Sequence, residues 1–314
     1  MVRLFSFINE LSGVLFKKYN RGKRLLFLGP MFFVTIGLLA WLIYRQKEAL
    51  LSYHWEFRPV PIALSFVFYS LSLLQVSFIW FKIITALGNR LGFTKNFRYF
   101  SITNLGKRLP GSVWYIPWRA RMYQEQGMTL RAVSIASGIE LVVSVISGAI
   151  ISLIFAAPSL GFPNKNAIGI FVVLVLMIGM LHPVVIRKIS RLLRVTVDDV
   201  QYWQILQWVV MYAFFWITSG NLLFFVINIF IPLDITFVPY VIGVWTLTGV
   251  LSTLLLLLPS NMGMTEISLS VLLSVVIPSP VAVVVAIGNR VLLLFYEVIW
   301  AGISIWQEGQ DSGK

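Results

Sequence analysis

The sequence lacks cysteine altogether, and only 12% of its 314 residues are charged. Without cysteine the chain can form no disulfide, no thiol nucleophile and no thiolate metal site. Its two histidines, His54 and His182, are far apart and each lies beside an apolar run, which makes a metal site built on them improbable. Because an ordinary soluble domain is about 25% charged, the low charged fraction also argues against a soluble protein.

Acidic residues are scarce as well, with 12 Asp and Glu against 25 Lys and Arg, so the net charge is +13. These basic residues cluster between apolar runs, which is the positive-inside pattern of membrane proteins rather than a nucleic-acid-binding surface. No phosphate-binding loop and no hydrolase, kinase or zinc signature is found. We therefore expect no nucleic acid partner, no cofactor and no metal, and no enzymatic activity from this chain alone.

Apolar residues, by contrast, make up 58% of the chain. They form runs long enough to cross about 30 Å of hydrocarbon, which takes roughly 20 helical residues. This predicts an all-α, polytopic transmembrane helical bundle in the cell membrane. The predicted spans are 25–44, 60–87, 128–157, 166–186, 203–230, 237–258 and 281–306.

The basic segments predict the orientation of these spans. Residues 1–24, 88–127 and 187–194 are strongly basic, which places them and the N-terminus in the cytoplasm. The first apolar run is too long for a cleaved signal and is interpreted as a permanent span. Segment 265–277 is short: as a span it gives about 8 crossings and a cytoplasmic C-terminus, and as a re-entrant element it gives 7 and an external one. We favour eight.

Residues 25–306 are predicted to form a single transmembrane domain with a short tail at 307–314. Its most distinctive feature is the polar segment 104–114, where a helix is broken at Pro110 and Gly111. A second break is predicted at Pro259, within the polar turn 259–266. Broken backbone inside a bilayer is tolerated only where protein or a watery cavity shields it, and paired breaks in the two halves of a transporter point to its binding site.

Ionised residues are predicted inside the spans, notably Glu140, Arg290 and Glu297. Two interpretations remain open: a structural ion pair of Glu140 or Glu266 with Arg290, or polar groups lining a cavity for a lipid headgroup. A ridge of small residues on the same span as Glu140 predicts close helix packing; its members are Ala136, Ser144, Gly148, Ser152 and Ala156. Polar residues of the second and fifth spans could line the same cavity or bond between helices: Tyr69, Ser72, Gln75, Gln204, Gln207, Asn221 and Asn228.

Basic and aromatic residues occur together in the 88–127 connection. This mixture predicts phosphate binding at the level of the lipid headgroups, although a plain cytoplasmic loop would also be basic. The candidate headgroup-binding residues are Asn104, Lys107, Arg108, Trp114, Arg119 and Arg121. The candidate cavity or gating residues are Pro110, Gly111, Glu140, Pro259, Asn261, Gly263, Glu266, Asn289 and Arg290.

These motifs resemble a known family. The segment 104–114 together with Arg119, Gly127 and Glu140 is similar to the transmembrane domain of lysylphosphatidylglycerol synthases and their stand-alone flippase-like relatives. Looser similarities are Pro259 with Gly263 and Glu266, and the tripeptide 288–290. The second motif departs from its usual form because Ser260-Asn261-Met262 replaces a further proline and glycine.

The resemblance implies a lipid-translocating membrane domain without the aminoacyl-transferase domain of the bifunctional relatives. The expected function is therefore binding and flipping of an anionic phospholipid or glycolipid between leaflets, with membrane lipids, including polyprenyl phosphates, as partners. The alternatives are a membrane subunit of a lipid-linked glycosyl or aminoacyl transferase system, or a scaffold that recruits a lipid-modifying enzyme.

Overall fold

A computed structural model describes residue 44 and residues 47–52, 58–108, 115–156, 201–254 and 261–311. Within these ranges the chain is helical and contains no strand. The helices are α1 (Lys47–Ser52), α2 (Pro59–Ala86), α3 (Phe93–Asn104), α4 (Tyr115–Gln124), α5 (Leu130–Phe155), α6 (Tyr202–Phe230), α7 (Val238–Leu254), α8 (Asn261–Leu273) and α9 (Ser279–Asp311). Two 3₁₀ turns, Leu105–Arg108 and Ile235–Phe237, follow α3 and precede α7.

Five of the helical segments in the described ranges are long and apolar enough to cross a membrane. They are Pro59–Ala86, Leu130–Phe155, Tyr202–Phe230, Ile235–Leu254 and Ser279–Gln307. Each lies close to the bounds predicted from the apolar runs, so five of the predicted spans are confirmed as apolar helices of spanning length. The predicted spans 25–44 and 166–186 lie outside the described residues, and the total of eight stays a prediction.

Helix α8 is the short element that the sequence placed at 265–277. It contains 13 residues, about 20 Å at 1.5 Å per residue, which is less than the hydrocarbon thickness. The prediction of a polar turn over 259–266 was partly wrong, because α8 already begins at Asn261. Glu266 therefore lies on the second turn of this helix, where it faces α9 rather than a loop.

The basic connection 88–127 differs most from its predicted form. It was expected to be a basic connection between spans, with a plain loop as one of two open interpretations, but it contains α3 and α4, and Asn96, Phe100, Arg119 and Tyr123 are fully buried in it. Helix α3 packs against α2 and α9, and α4 packs against α5. The physical reason is amphipathicity: positions 96, 99, 100 and 103 form one buried stripe at helical spacing. We call α3 and α4 together the helical hairpin.

Hydrogen bonds join the two outer ends of the helical hairpin and fix it to α2. Lys95 Nζ donates to Gln126 Oε1 at 2.7 Å, which brings the start of α3 beside the end of α4. Deeper in the unit, Trp80 Nε1 donates to the Tyr123 hydroxyl at 2.8 Å, and Tyr123 donates to Asn96 Oδ1. The hairpin is thus a packed part of the bundle with both ends on one side.

Helix α6 lies at the centre of the bundle and contacts α2, α5, α7 and α9. The small-residue ridge predicted on α5 permits close helix packing, as expected. A Cβ atom added to Gly148 would lie 2.6 Å from Val250 of α7, and one added to Gly243 would lie 2.7 Å from the side chain of Ala156. The ridge therefore holds α5 directly against α6 and α7 and orients Glu140 towards the interior.

The outer face of α2 is apolar along its length. Its exposed members recur every three or four residues, at Val60, Leu64, Val67, Leu71, Leu74 and Phe78. The opposite face buries small polar residues, including Ser65 and Ser72, whose hydroxyls donate to carbonyls of the preceding turn at 2.8 and 2.7 Å. A helix with apolar residues outside and polar residues inside suits a lipid environment.

Candidate functional site

Two neighbouring cavities lie inside the bundle, where the inner end of the helical hairpin meets α2 and α6. The larger has a volume of about 320 Å³, within the range of small-molecule sites, and the smaller has about 220 Å³. They share part of their lining, namely Val76, Lys107, Phe215, Trp216, Ser252 and Thr253. We call them the larger and the smaller cavity.

The larger cavity is lined by side chains from six helices and from the 3₁₀ turn after α3. Its charged residues are Lys107, Glu266, Arg290 and Glu297. Asn104, Ser72, Ser219 and Thr265 add amide and hydroxyl groups, and Tyr69, Trp216 and Trp245 add aromatic rings. A mixed lining of this kind can bind a polar group and an adjoining apolar group together.

The open pair, Glu266 with Arg290, lies in the wall of the larger cavity. Arg290 Nη1 donates to Glu266 Oε1, joining α8 to α9. The arginine side chain is 31% exposed whereas the glutamate side chain is 5% exposed. The predicted pairing of Glu266 with Arg290 is therefore confirmed, and its cation remains accessible from the cavity.

Glu297 lies two turns beyond Arg290 on α9 and also lines the larger cavity. It accepts a hydrogen bond from Asn104 Nδ2 at 3.3 Å. This contact connects the inner end of the helical hairpin to α9, the longest of the described helices. It places a second carboxylate on the same cavity wall as Arg290.

The enclosed pair, Arg119 with Glu140, borders the smaller cavity. Arg119 Nη1 donates to Glu140 Oε2 at 2.8 Å, and the Tyr212 hydroxyl donates to Glu140 Oε1 at 3.2 Å. The arginine side chain is 0% exposed and the glutamate side chain 6%. Glu140 therefore pairs with Arg119 of the hairpin, and of the two carboxylates predicted as alternative partners of Arg290 only Glu266 pairs with it.

Three aromatic rings surround the guanidinium of Arg119. Its Cζ lies 4.2 Å from the centre of the Trp80 ring, 4.3 Å from Phe100 and 5.2 Å from Tyr115. Cation–π contacts are strongest where the cation is desolvated. The sequence showed an arginine among aromatic residues. It did not show that the three rings come from three helices, with Trp80 on α2, Phe100 on α3 and Tyr115 at the start of α4.

Trp216 of α6 lies on both cavities and is held in a narrow slot. Its Nε1 donates to the Ser144 carbonyl of α5 at 3.0 Å. A Cβ atom added to Gly148 would lie 3.0 Å from this nitrogen, and one added to Gly249 would lie 2.5 Å from the far edge of the ring. The two glycines give the indole ring its space between α5 and α7.

The predicted site residues divide into three groups. Asn104, Lys107, Glu140, Glu266 and Arg290 line one or both cavities. Tyr69 and Ser72 of the second span line the larger one as well. The structure therefore brings together, around one interior space, residues that lie far apart in the sequence.

Other predicted residues lie away from the cavities. Arg119 was expected to bind a headgroup, but it is fully buried in its ring enclosure and cannot contact one. Arg121 is on the outer surface of α4, 3.9 Å from Glu125. Asn289 is 4% exposed and lines neither cavity. Asn221 and Asn228 donate to carbonyls of their own helix at 2.8 and 2.9 Å.

The remaining predicted residues fall wholly or partly outside the described residues. Pro110, Gly111, Trp114 and Pro259 lie there entirely, as does the side chain of Arg108. Asn261 and Gly263 are described by their backbone, which forms the first turn of α8. The proposed breaks at Pro110 and Pro259 thus fall between helices whose flanking ends are described.

Sequence reasoning missed Tyr212, Trp216, Trp245, Ser252 and Thr265 as lining residues. The first four resemble ordinary core residues of apolar helices, so no sequence signal marked them, whereas Thr265 lies in the polar segment 259–266 but was not assigned a role. Glu297 was recognised as an ionised residue in a span but was not assigned to the cavity. Among the described residues no three His, Asp or Glu side chains form a group that could hold a metal ion.

Together, the apolar helices and their polar interior define a multi-pass helical membrane protein. Compared with known protein families and with curated protein sequences, the chain matches none. The function therefore has to be argued from the cavities themselves.

Proposed function

We propose that this membrane protein binds the polar head of a membrane lipid in the two cavities and moves the lipid between leaflets. The head is that of an anionic phospholipid or a glycolipid. The acyl chains of the lipid would remain against an apolar surface such as the outer face of α2. This is the function expected from the resemblance to flippase-like proteins.

The observation that carries the proposal is the set of ionised side chains around an interior space. Each ionised residue costs at least about 2.5–3.5 kcal/mol at the centre of a bilayer on insertion scales. Lys107, Glu140, Glu266, Arg290 and Glu297 nevertheless line the two cavities. A structural ion pair alone does not require a cavity beside it, whereas a binding site for a polar head does.

Two cations are placed to receive the phosphate of such a lipid. Lys107 lines both cavities, and Arg290 has an accessible side chain in the larger one. Ammonium and guanidinium groups bind phosphate through charge-assisted hydrogen bonds. The hydroxyls and tryptophan rings of the larger cavity suit the glycerol or sugar part of the head.

The test is a lipid-transfer assay in reconstituted vesicles. Fluorescent phosphatidylglycerol and a fluorescent monoglucosyl diacylglycerol are incorporated, and dithionite quenching measures the fraction of probe that reaches the outer leaflet. We expect the protein to accelerate transfer of at least one probe. We expect Lys107→Met and Arg290→Gln to slow the transfer of the phosphatidylglycerol by about tenfold, the loss of one charge-assisted hydrogen bond.

Lys95→Met is the matched control, because Lys95 is an exposed lysine of the same hairpin and lines neither cavity. It should transfer lipid as the unaltered protein does. Transfer rates equal to those of protein-free vesicles for every probe would contradict the proposal. Normal transfer by both cavity variants would contradict the assignment of the site and favour a scaffold role instead.

A further inference from the structure

Two cations of the helical hairpin share the same two aromatic rings. Lys107 Nζ lies 5.5 Å from the centre of the Phe100 ring and 5.0 Å from that of Tyr115. Arg119 Cζ lies 4.3 and 5.2 Å from the same rings. Lys107 comes from the turn after α3 and Arg119 from α4, so the rings connect two segments of the hairpin.

The two cations differ completely in access. Lys107 lines both cavities, whereas Arg119 is fully buried and lines neither. A lipid phosphate in either cavity can therefore approach Lys107 but cannot reach the guanidinium. Any effect of Arg119 on lipid binding has to pass through the groups between them.

Arg119 is itself held in a fixed position. Glu140 of α5 accepts its Nη1 hydrogen at 2.8 Å, and Tyr212 of α6 donates to the other carboxylate oxygen at 3.2 Å. Phe100 is 0% exposed and Tyr115 is 2% exposed. The two rings thus lie against a guanidinium that is anchored to two spanning helices, and the Lys107 ammonium lies within 5.5 Å of the centre of each ring.

We infer that Arg119, with Glu140, is a positioning residue for Lys107, acting through the rings of Phe100 and Tyr115 to hold the ammonium at the wall common to both cavities. The inference rests on the proposed function and refines it. Lys107 binds the phosphate group of the lipid head, and Arg119 fixes where that phosphate is bound. A ring face attracts a cation, so displaced rings would no longer hold the ammonium.

A double-mutant cycle tests this inference. The variants are Lys107→Met, Arg119→Lys and their combination. The dissociation constant for dioctanoyl phosphatidylglycerol is measured on the purified full chain in detergent, alongside the melting temperature. Glycerol 3-phosphate and inorganic phosphate are titrated separately, so that a site for a lipid head is distinguished from a site for a free phosphate.

We expect Lys107→Met to weaken phosphatidylglycerol binding by about tenfold, the loss of one charge-assisted contact. Arg119→Lys keeps the charge but loses the planar group that stacks on the rings, and it should weaken binding by a comparable factor. In the combined variant the dissociation constant should equal that of Lys107→Met within about twofold, because coupled residues are not additive. The melting temperature should still fall on adding Arg119→Lys, which separates positioning from stability.

Phe100→Leu provides a second route if Arg119→Lys does not fold, because it removes a shared ring that lines neither cavity and leaves the Arg119–Glu140 pair. It should likewise have no further effect on binding once Lys107 is methionine. Trp80→Leu is the matched control: its ring contacts Arg119 at 4.2 Å but is not shared with Lys107. It should lower the melting temperature and change the dissociation constant by less than about twofold.

Four results are decisive. Fully additive losses from Lys107→Met and Arg119→Lys would overturn the inference and leave the proposed function intact. An unchanged dissociation constant in Arg119→Lys, with weakened binding in Lys107→Met, would do the same. An unchanged constant in Lys107→Met would instead contradict the proposed phosphate site, and tighter binding of free phosphate than of the lipid would contradict a lipid-head site.

Discussion

The enclosed pair and the open pair contain the same two residue types in different surroundings. Arg119 is completely buried among aromatic rings, whereas the Arg290 side chain is 31% exposed to a cavity. Both glutamates are buried. The comparison shows that a buried arginine–glutamate pair can be either a structural connection or part of a binding surface, and that access to the cation decides between them.

The first and largest prediction breaks the enclosed pair. Glu140→Gln leaves the Arg119 charge in its ring enclosure without a counter-ion, and loss of one partner of a buried pair costs about 3–5 kcal/mol. We expect a large fall in the melting temperature, measured by thermal unfolding in detergent. Arg121→Met is the control, because its pair with Glu125 is exposed and such pairs contribute only about 0–1 kcal/mol. Equal stability of the two variants would contradict the structural role of the enclosed pair.

A second prediction concerns Trp216, which lies between the cavities. Gly249→Ala would place a Cβ atom 2.5 Å from the indole ring, and overpacking of this kind costs about 1–3 kcal/mol. We expect it to displace the ring and to slow lipid transfer in vesicles. Gly138→Ala on α5 is the matched control, since a Cβ atom there meets nothing within 4 Å. A transfer rate like that of the control would show that the position of Trp216 is unimportant.

The third prediction breaks the open pair. Arg290→Gln removes the counter-ion of the buried Glu266 carboxylate, but the cavity beside this pair leaves more room for solvation than the ring enclosure of Arg119 does, so we expect a smaller loss of stability than in Glu140→Gln. The rate of lipid transfer should fall by about tenfold, while the melting temperature should fall less than it does in Glu140→Gln. Transfer rate and melting temperature are measured for Arg290→Gln and for Glu140→Gln. Equal losses of both quantities in the two variants would contradict the distinction between the open pair and the enclosed pair.

The smallest effect is expected at Asn289, next to Arg290 on α9. Its Oδ1 is buried and has no hydrogen-bond partner in the described part of the chain. Asn289→Leu removes this unsatisfied acceptor, so we expect a stability change within about 1 kcal/mol and normal lipid transfer. A marked loss of transfer would show that the amide takes part in binding after all.

The apolar runs predicted the spanning helices well, because about 20 consecutive apolar residues leave few other structures possible. The sequence also predicted that Arg290 pairs with a carboxylate, since two opposite charges in an oily environment need one another, but it offered both Glu140 and Glu266 as the partner. The partner of Glu140 did not follow, because Arg119 lies in a segment whose charge indicated a cytoplasmic loop. Charge clustering predicts sidedness and does not show whether a segment folds back into the bundle.

The helical hairpin could nevertheless have been recognised from its own sequence. Asn96, Tyr99, Phe100 and Thr103 recur at helical spacing and are buried together. The composition of the cavity walls could not have been recognised, because Trp216 and Ser252 are ordinary residues of apolar helices. The position of Trp216 depends on Gly148 and Gly249, which lie on two neighbouring helices.

The enclosed pair also sets an order of events during biosynthesis. Arg119 leaves the ribosome before Glu140, which follows 21 positions later in the chain. An arginine without its counter-ion is costly to place within a bilayer. Because a buried charge is costly unless it is paired, the aromatic rings can enclose Arg119 only after the segment that carries Glu140 has been made.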